Sequence, residues 1–314
     1  MGLLARLFHG HAPADPMLDQ ALARAAAKVD PHLAQAPHWP GRYRAPLEGA
    51  LAQARRVAWA VPGPITLDRE HWARDLFTHA LFSSAEAMEQ AIAASPELAA
   101  FMTSAEAGVD VFALLSLRRN ERAVFGMALD GEVLRRDVPQ RVVWFSEPHF
   151  LAPAGDERSV REQLIWVLFD RFLERVAVGV DRLRAEQDRL HQEKALAQAR
   201  LRQAPADKRP ELQAALADIL TRLGEVAYHL DMTHLHEVFE SVLSHPEDCL
   251  YLEEHAYALD AMGVADSHDP SATSLHFVDL IERYQPPRTV VLTRFTSVRP
   301  ESMAERLGRA ARWL

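Results

Sequence analysis

Cysteine is nearly missing from this chain: Cys249 is the only one in 314 residues. A lone thiol forms no internal disulfide and cannot build a cysteine-ligated zinc site, and a reducing cytoplasm is the compartment it fits. Glycine is sparse at 13 residues, and no P-loop, Gly-x-Gly-x-x-Gly turn or Gly-x-Ser-x-Gly elbow occurs, so the familiar nucleotide and serine-hydrolase signatures are excluded. No apolar run approaches the roughly 20 residues that cross a bilayer. The segment Met1–Phe8 is apolar with one arginine but turns polar at His9-Gly10-His11, too early for a signal-peptide core, so export is not expected. A basic excess is missing as well. With 44 acidic against 35 basic residues and a net charge of -9, the chain lacks the surface a general nucleic-acid binder needs.

What is present is a globular composition, 48% hydrophobic and 25% charged, in a chain long enough for one large or two modest domains. The patterning predicts an α+β fold: an N-terminal helical region, then an antiparallel β-sheet assembled from segments flanking a long antiparallel helical hairpin. Residues 1–107 read as short helices. Asp15-Pro16 starts the first, with Leu18, Leu22, Ala25 and Val29 on one face; Pro46 begins another, and Asp68, Ser84 and Ser95-Pro96 cap three more. Residues 108–158 read as a meander of four short strands, with a polar turn over Arg118–Glu121, a hairpin turn at Asp130-Gly131 and a strand resuming after Pro139.

Residues 159–243 form the arm around which the rest is arranged. Ser159-Val160-Arg161-Glu162 is a capping box, and Leu164–Leu173 is apolar around nearly its whole circumference, as a buried helix should be. Beyond it the apolar residues thin to Val176, Val180, Leu183, Leu190, Ala197 and Leu201, three and four apart, with Gln187 and Lys194 interrupting. After the break at Gln203–Pro210 a matching stripe returns: Leu212, Leu216, Ile219, Leu223, Val226 and Leu230. This is the seam of a two-helix coiled coil. Placing Leu201 opposite Leu212 sets Leu190 against Leu223 and Leu183 against Leu230. A first helix of roughly 45 residues would be nearly 70 Å long. Residues 244–298 return to strands, with 250–259 favoured as a strand over a helix, and residues 299–314 read as an Arg-rich amphipathic helix.

The run from His229 to Glu240 is the densest chemistry in the chain. On an unbroken helix His229, Thr233, His236 and Glu240 share one flank, so His229, His236 and Glu240 are the candidate ligands for a divalent metal, zinc or iron, with Asp231 and His234 as alternates. No complete His-Glu-x-x-His motif stands behind them, and the ordinary reading is a polar boundary where the arm's seam meets the body, with the imidazoles satisfying local hydrogen bonds. A second cluster joins Glu253, Glu254, His255 and Asp260 to Cys249. A third sets Arg118, Arg119 and Arg122 beside Arg135, Arg136 and Arg141 as an anion-binding edge, although six acids share the segment. None of these names a reaction. The expected function is therefore that of a cytoplasmic, non-enzymatic interaction or scaffold protein, with a protein partner or a second copy engaged by residues 180–230 and no cofactor. The alternatives are a metal-dependent hydrolase using the histidine cluster, and a membrane-surface adaptor making weak contact through its amphipathic termini.

Overall fold

The computed structural model describes residues 15–104, 109–130, 133–259, 263–265 and 273–296, without the side chains of 126–137. Both amphipathic termini, including the helix read over 299–314, lie outside the described residues, as does Asp260. In chain order the elements are α1 (Pro16–Lys28), α2 (Gly41–Ala60), β1 (Ile65–Thr66), α3 (Arg69–Arg74), α4 (Leu76–Leu81), α5 (Ala85–Ala94), α6 (Pro96–Met102), β2 (Asp110–Asp130), β3 (Val133–Ala154), α7 (Glu157–Gln203), α8 (Arg209–Leu230), α9 (Leu235–Val242), β4 (Leu250–Leu259), β5 (Val264–Ala265), β6 (Thr273–Glu282) and β7 (Arg288–Thr296). The fold is α+β, and strands from before and after the helical hairpin share one sheet. No helix among the described residues is long and apolar enough to cross a membrane. Two compact units result: Met1–Ala54 with Leu168–Pro246, and Arg55–Val167 with Glu247–Leu314.

In the second unit the four expected short strands are two long ones, β2 of 21 residues and β3 of 22, paired antiparallel from Phe112 with Ala154 to Asp130 with Val133; the expected turn residue Gly131 lies outside the described residues. The polar stretch Arg118–Glu121 continues the strand, because its charges find partners across the sheet: Arg118 with Glu147 at 3.2 Å and Arg119 with Asp279 at 2.9 Å. Pro139 sits inside β3 opposite Phe125 and does not delay the strand, and three register shifts absorb the irregularities of the pair. The remaining pairings close a cycle. β2 pairs with β7, β7 with β6, β6 with β4, β4 with β5 and β5 with β3, so the strands return on themselves in a ring, and β1 adds to β7 in parallel. Its core takes alternate residues of each strand, among them Val111, Ala113, Leu115, Leu117, Val143, Phe150, Phe277, Val291 and Phe295, with Leu81, Met88 and Leu98 from the short helices packed on it. At Gly63 the backbone runs at φ +106 so close to β7 that a Cβ would lie 2.5 Å from the Leu292 carbonyl, and the neighbouring Pro62 carbonyl accepts the Leu292 N–H at 2.8 Å.

Within this unit α7 begins two residues before the expected capping box. Asp156 is the cap: its carboxylate accepts the Ser159 hydroxyl at 2.7 Å and the Ser159 backbone N–H at 2.9 Å, and these bonds hold it below the usual carboxylate range. Arg161, only 6% exposed, donates to the carbonyls of Ala58, Trp59 and Val61 at 3.0, 3.0 and 3.1 Å and so satisfies the end of α2.

In the first unit the apolar line expected on each arm helix is the covered one. On α7 the line Val176, Val180, Leu183, Gln187, Leu190, Lys194, Ala197, Leu201 is buried or half-buried, and most residues between are exposed; on α8 the covered line is Leu212, Leu216, Ile219, Leu223, Val226, Leu230. Arg222 bonds Glu186 across the pair at 3.0 Å and ties α8 back onto α7. At its base α7 becomes a core helix, with Phe169, Phe172, Leu173 and Val176 at most 1% exposed. Here α1 is tied to it by Arg24 and Lys28 on Asp170, at 2.9 and 3.1 Å, and Arg184 closes on the buried Asp30 at 2.7 Å. α9 crosses at Gly179, where Val242 and Val238 lie 3.6 and 3.8 Å from the position a Cβ would take.

Candidate functional site

The helix carrying the histidine cluster is not continuous. α8 ends at Leu230; Asp231 then turns extended, at φ -65 and ψ 135, and its carboxylate takes the Thr233 backbone N–H at 2.7 Å. An aspartate that bonds its own backbone two residues on offers the chain an alternative to the helix, and here it wins. The common flank of His229, Thr233, His236 and Glu240 therefore does not form, and the residues are dealt to two sides of a corner.

On the outer side the hub is Glu237. Tyr228 donates to its Oε1 at 3.0 Å, His234 Nδ1 lies 3.2 Å from the same oxygen, and His229 Nδ1 is 3.7 Å from Oε2. The Tyr228 and His234 rings stack at 3.7 Å. Burial acts to raise the Glu237 carboxyl, but the bonds from Tyr228 and His234 outweigh it and hold it below the usual range. The same bond to Glu237 pushes the Tyr228 phenol up. Asp231 is used by the corner itself, and Glu240 is exposed on α9.

His236 faces the other way, into the core, at 1% exposure. Arg42, in the first turn of α2, donates Nη1 to His236 Nε2 at 2.6 Å. A guanidinium can only donate, so Nε2 must be the accepting nitrogen and the ring proton sits on Nδ1. That Nδ1 is buried and has no hydrogen-bond partner among the described residues. Neither has the hydroxyl of Tyr43, which is fully buried. Burial pushes the Tyr43 phenol up to about 12. Aromatic rings close around the pair: Phe239 at 5.1 Å from Tyr43, His236 at 6.2 Å, Trp39 at 5.1 Å, and His38 at 5.6 Å from His236.

Of the five residues read from the sequence, the structure gathers His229 and His234 on Glu237, sends His236 to Arg42, and leaves Asp231 and Glu240 outside either group. Arg42 occupies the lone pair of His236 that a metal would need. Among the described residues no group of three or more His, Cys, Asp or Glu is placed to hold a metal ion. Sequence reasoning missed Arg42 and Tyr43, nearly 200 positions away, where no local pattern points to them. Glu237 carried a signal, lying one turn after His234 in the same run.

The other clusters also separate. Cys249 is buried, and its carbonyl accepts the Arg283 N–H at 2.9 Å. On β4, Glu254 pairs outward with His276 at 2.6 Å, whereas His255 lies 3.5 Å from the buried Asp279. From the arginine edge Arg118 goes to Glu147, Arg141 lies 3.5 Å from Glu121, and Arg119 joins Asp279. Two clusters separate in sequence thus converge, through Arg119 and His255, on one acid. Compared with known protein families, with curated proteins and with solved structures, the chain matches none.

Proposed function

We propose that this chain is a cytoplasmic, non-enzymatic interaction or scaffold protein whose helical arm, over residues 180–230, engages a protein partner or a second copy of itself. The observation that carries the reading is the width of the seam. Each arm helix is covered along one line only, which leaves most of its circumference to solvent over more than 20 residues of each helix. That exposed surface is charged and paired within itself, as where Arg189 bonds Glu186 and Glu193 at 2.6 and 2.9 Å, and it includes Leu196 and Leu220 at 59% and 47% exposure. A long straight surface of this kind supports association by reach and by side-chain pattern, with no need of a reaction centre. The histidine corner at the arm's base supports the same reading, since Glu237 and Asp231 are committed to local bonds.

The test compares the full chain with one in which Gln187–Val226 is replaced by a short Gly/Ser connection. Light scattering and chemical crosslinking of the full chain should show a species heavier than the monomer, or a stable complex with a co-purifying protein, and the shortened chain should remain folded and lose it. Equal mass and equal partner recovery for both chains would remove the arm from the function.

A further inference from the structure

The second unit holds a cavity of about 500 Å³, walled by α4, by strands β3, β4 and β6, and by Gly263 just before β5. Its size falls in the range of roughly 300–1,000 Å³ typical of small-molecule sites. Local bonds fix the walls. Asp75 caps α4 by accepting the Thr78 N–H at 2.9 Å, and where the helix ends the Trp72 indole donates to the Phe82 carbonyl at 3.0 Å. Val143 of β3 donates its N–H to the Gly263 carbonyl at 3.0 Å. Gly263 has φ +76, and a Cβ there would lie 2.9 Å from the Val143 carbonyl, so this stretch of wall is bare backbone.

The lining grades from dry to wet. Leu81, Phe82, Val143 and Leu259 are at most 6% exposed and supply an apolar floor. Leu76 and Trp144, at 42% and 43% exposure, and the exposed Ser83 supply a rim that includes an indole N–H and a hydroxyl. Rings recur in the lining: besides Phe82 and Trp144 it includes Phe145 and His79, and His79 rests against Trp72 with ring centres 4.5 Å apart. Among the described residues no Asp, Glu, Lys or Arg lines the cavity. The nearest charges along the strands are spent on one another, since Glu121, the cross-strand partner of Val143, meets Arg119 and Arg141 at 3.2 and 3.5 Å.

We infer that this cavity binds a small, uncharged aromatic molecule carrying one hydrogen-bonding group, with its ring over the floor and that group at the rim. The rings of the lining select a flat π system over a saturated molecule of equal size, because aromatic pairs gain contact energy beyond the area they bury. The lack of charged lining selects the neutral form, since an ion entering the cavity would lose water and find no counter-ion. A hydroxyl on the ligand belongs at the rim, where Ser83 and Trp144 are, because the floor would leave it unpaired.

The probes are 2-naphthol, its saturated counterpart 2-decalol and the anion 2-naphthoate, titrated calorimetrically into the full chain near neutral pH. One saturable site is expected for 2-naphthol, about threefold or more tighter than 2-decalol and about tenfold or more tighter than 2-naphthoate. Ala80→Phe, which adds a ring to the α4 wall, should weaken 2-naphthol about tenfold or more with an unchanged circular dichroism spectrum. Trp144→Ala, at the rim, should weaken it about threefold or more. Absence of saturable binding, or undiminished binding in either folded variant, would overturn the site. Equal affinity for 2-decalol would overturn the aromatic ligand, and equal affinity for 2-naphthoate the neutral one. If Ala80→Phe fails to fold, Trp144→Ala, whose side chain is half in solvent, still decides the location.

Discussion

The same helix lives in two environments within one unit, and the contrast shows how little covering a helix needs to be extended. At its root α7 is enclosed, with Phe169 and Phe172 buried and Phe239 of α9 packed into the same core. Farther out only a stripe is covered, and Leu190 is the one residue between Val180 and Leu201 that is fully hidden. Root residues carry fold stability through packed volume, whereas outer residues carry reach and register.

Substitutions should separate the two. The largest loss is expected for Phe239→Ala at the root, about 3–5 kcal/mol by urea unfolding, because a large ring leaves a cavity its neighbours cannot fill. A loss under ~1 kcal/mol there would mean that the root is no better packed than the arm. Leu190→Ala should cost about 3 kcal/mol, and hydrogen exchange should show the faster opening confined to residues 183–226; equal acceleration at the root would couple the two regions. The third effect comes from alkali. Tyr43 is held neutral to about 12 against an ordinary value of 10.0. Its folded pKa is raised, so the stabilisation is complete below pH 10 and is lost as pH rises towards 12, when the unfolded state has released a proton that the folded state keeps. Roughly 2 kcal/mol of stability should disappear over that window. Absorbance titration should find Tyr43 and Tyr257 ionising only near pH 12. The smallest effect is expected for His236→Phe, which removes a buried nitrogen with no partner and frees Arg42 to reach water. Stability within about 1 kcal/mol of the parent is expected, since losing an unmet hydrogen bond offsets the lost contact with Arg42. A fall of several kcal/mol would show that the pair with Arg42 anchors the root.

Much of this was readable from residues alone. The two arm helices, the break between them and the covered line of each followed from apolar spacing, because an amphipathic stripe is a local, periodic requirement. The β4 strand and the β6–β7 hairpin followed from alternation. What failed was set by single competing bonds or by distant partners. Asp231 broke a helix whose periodicity ran straight through it, and Asp156 took over the cap assigned to Ser159. The polar run Arg118–Glu121 reads as a turn because the partner that makes it a strand, Asp279, lies some 160 residues along the chain. For the site, spacing makes His236 a candidate ligand, whereas in the structure it is a buried imidazole held by Arg42, a contact that spacing cannot reveal.

The closure of the strand ring also has a consequence for the order in which the protein can be made. β2 is paired along Asp110–Leu117 by β7, whose residues leave the ribosome about 130 positions after β3 is complete. At roughly 5–20 residues per second that edge stays open for about 7–27 s during each round of synthesis. Throughout this interval the hairpin of β2 and β3 presents Val111, Ala113 and Leu115 with no strand to cover them, while the whole helical arm is still being built. The nascent chain is then at its most exposed to pairing with a neighbour on the same message, and slowing translation between Glu157 and Arg288 should lower soluble yield more than the same delay placed after Thr296.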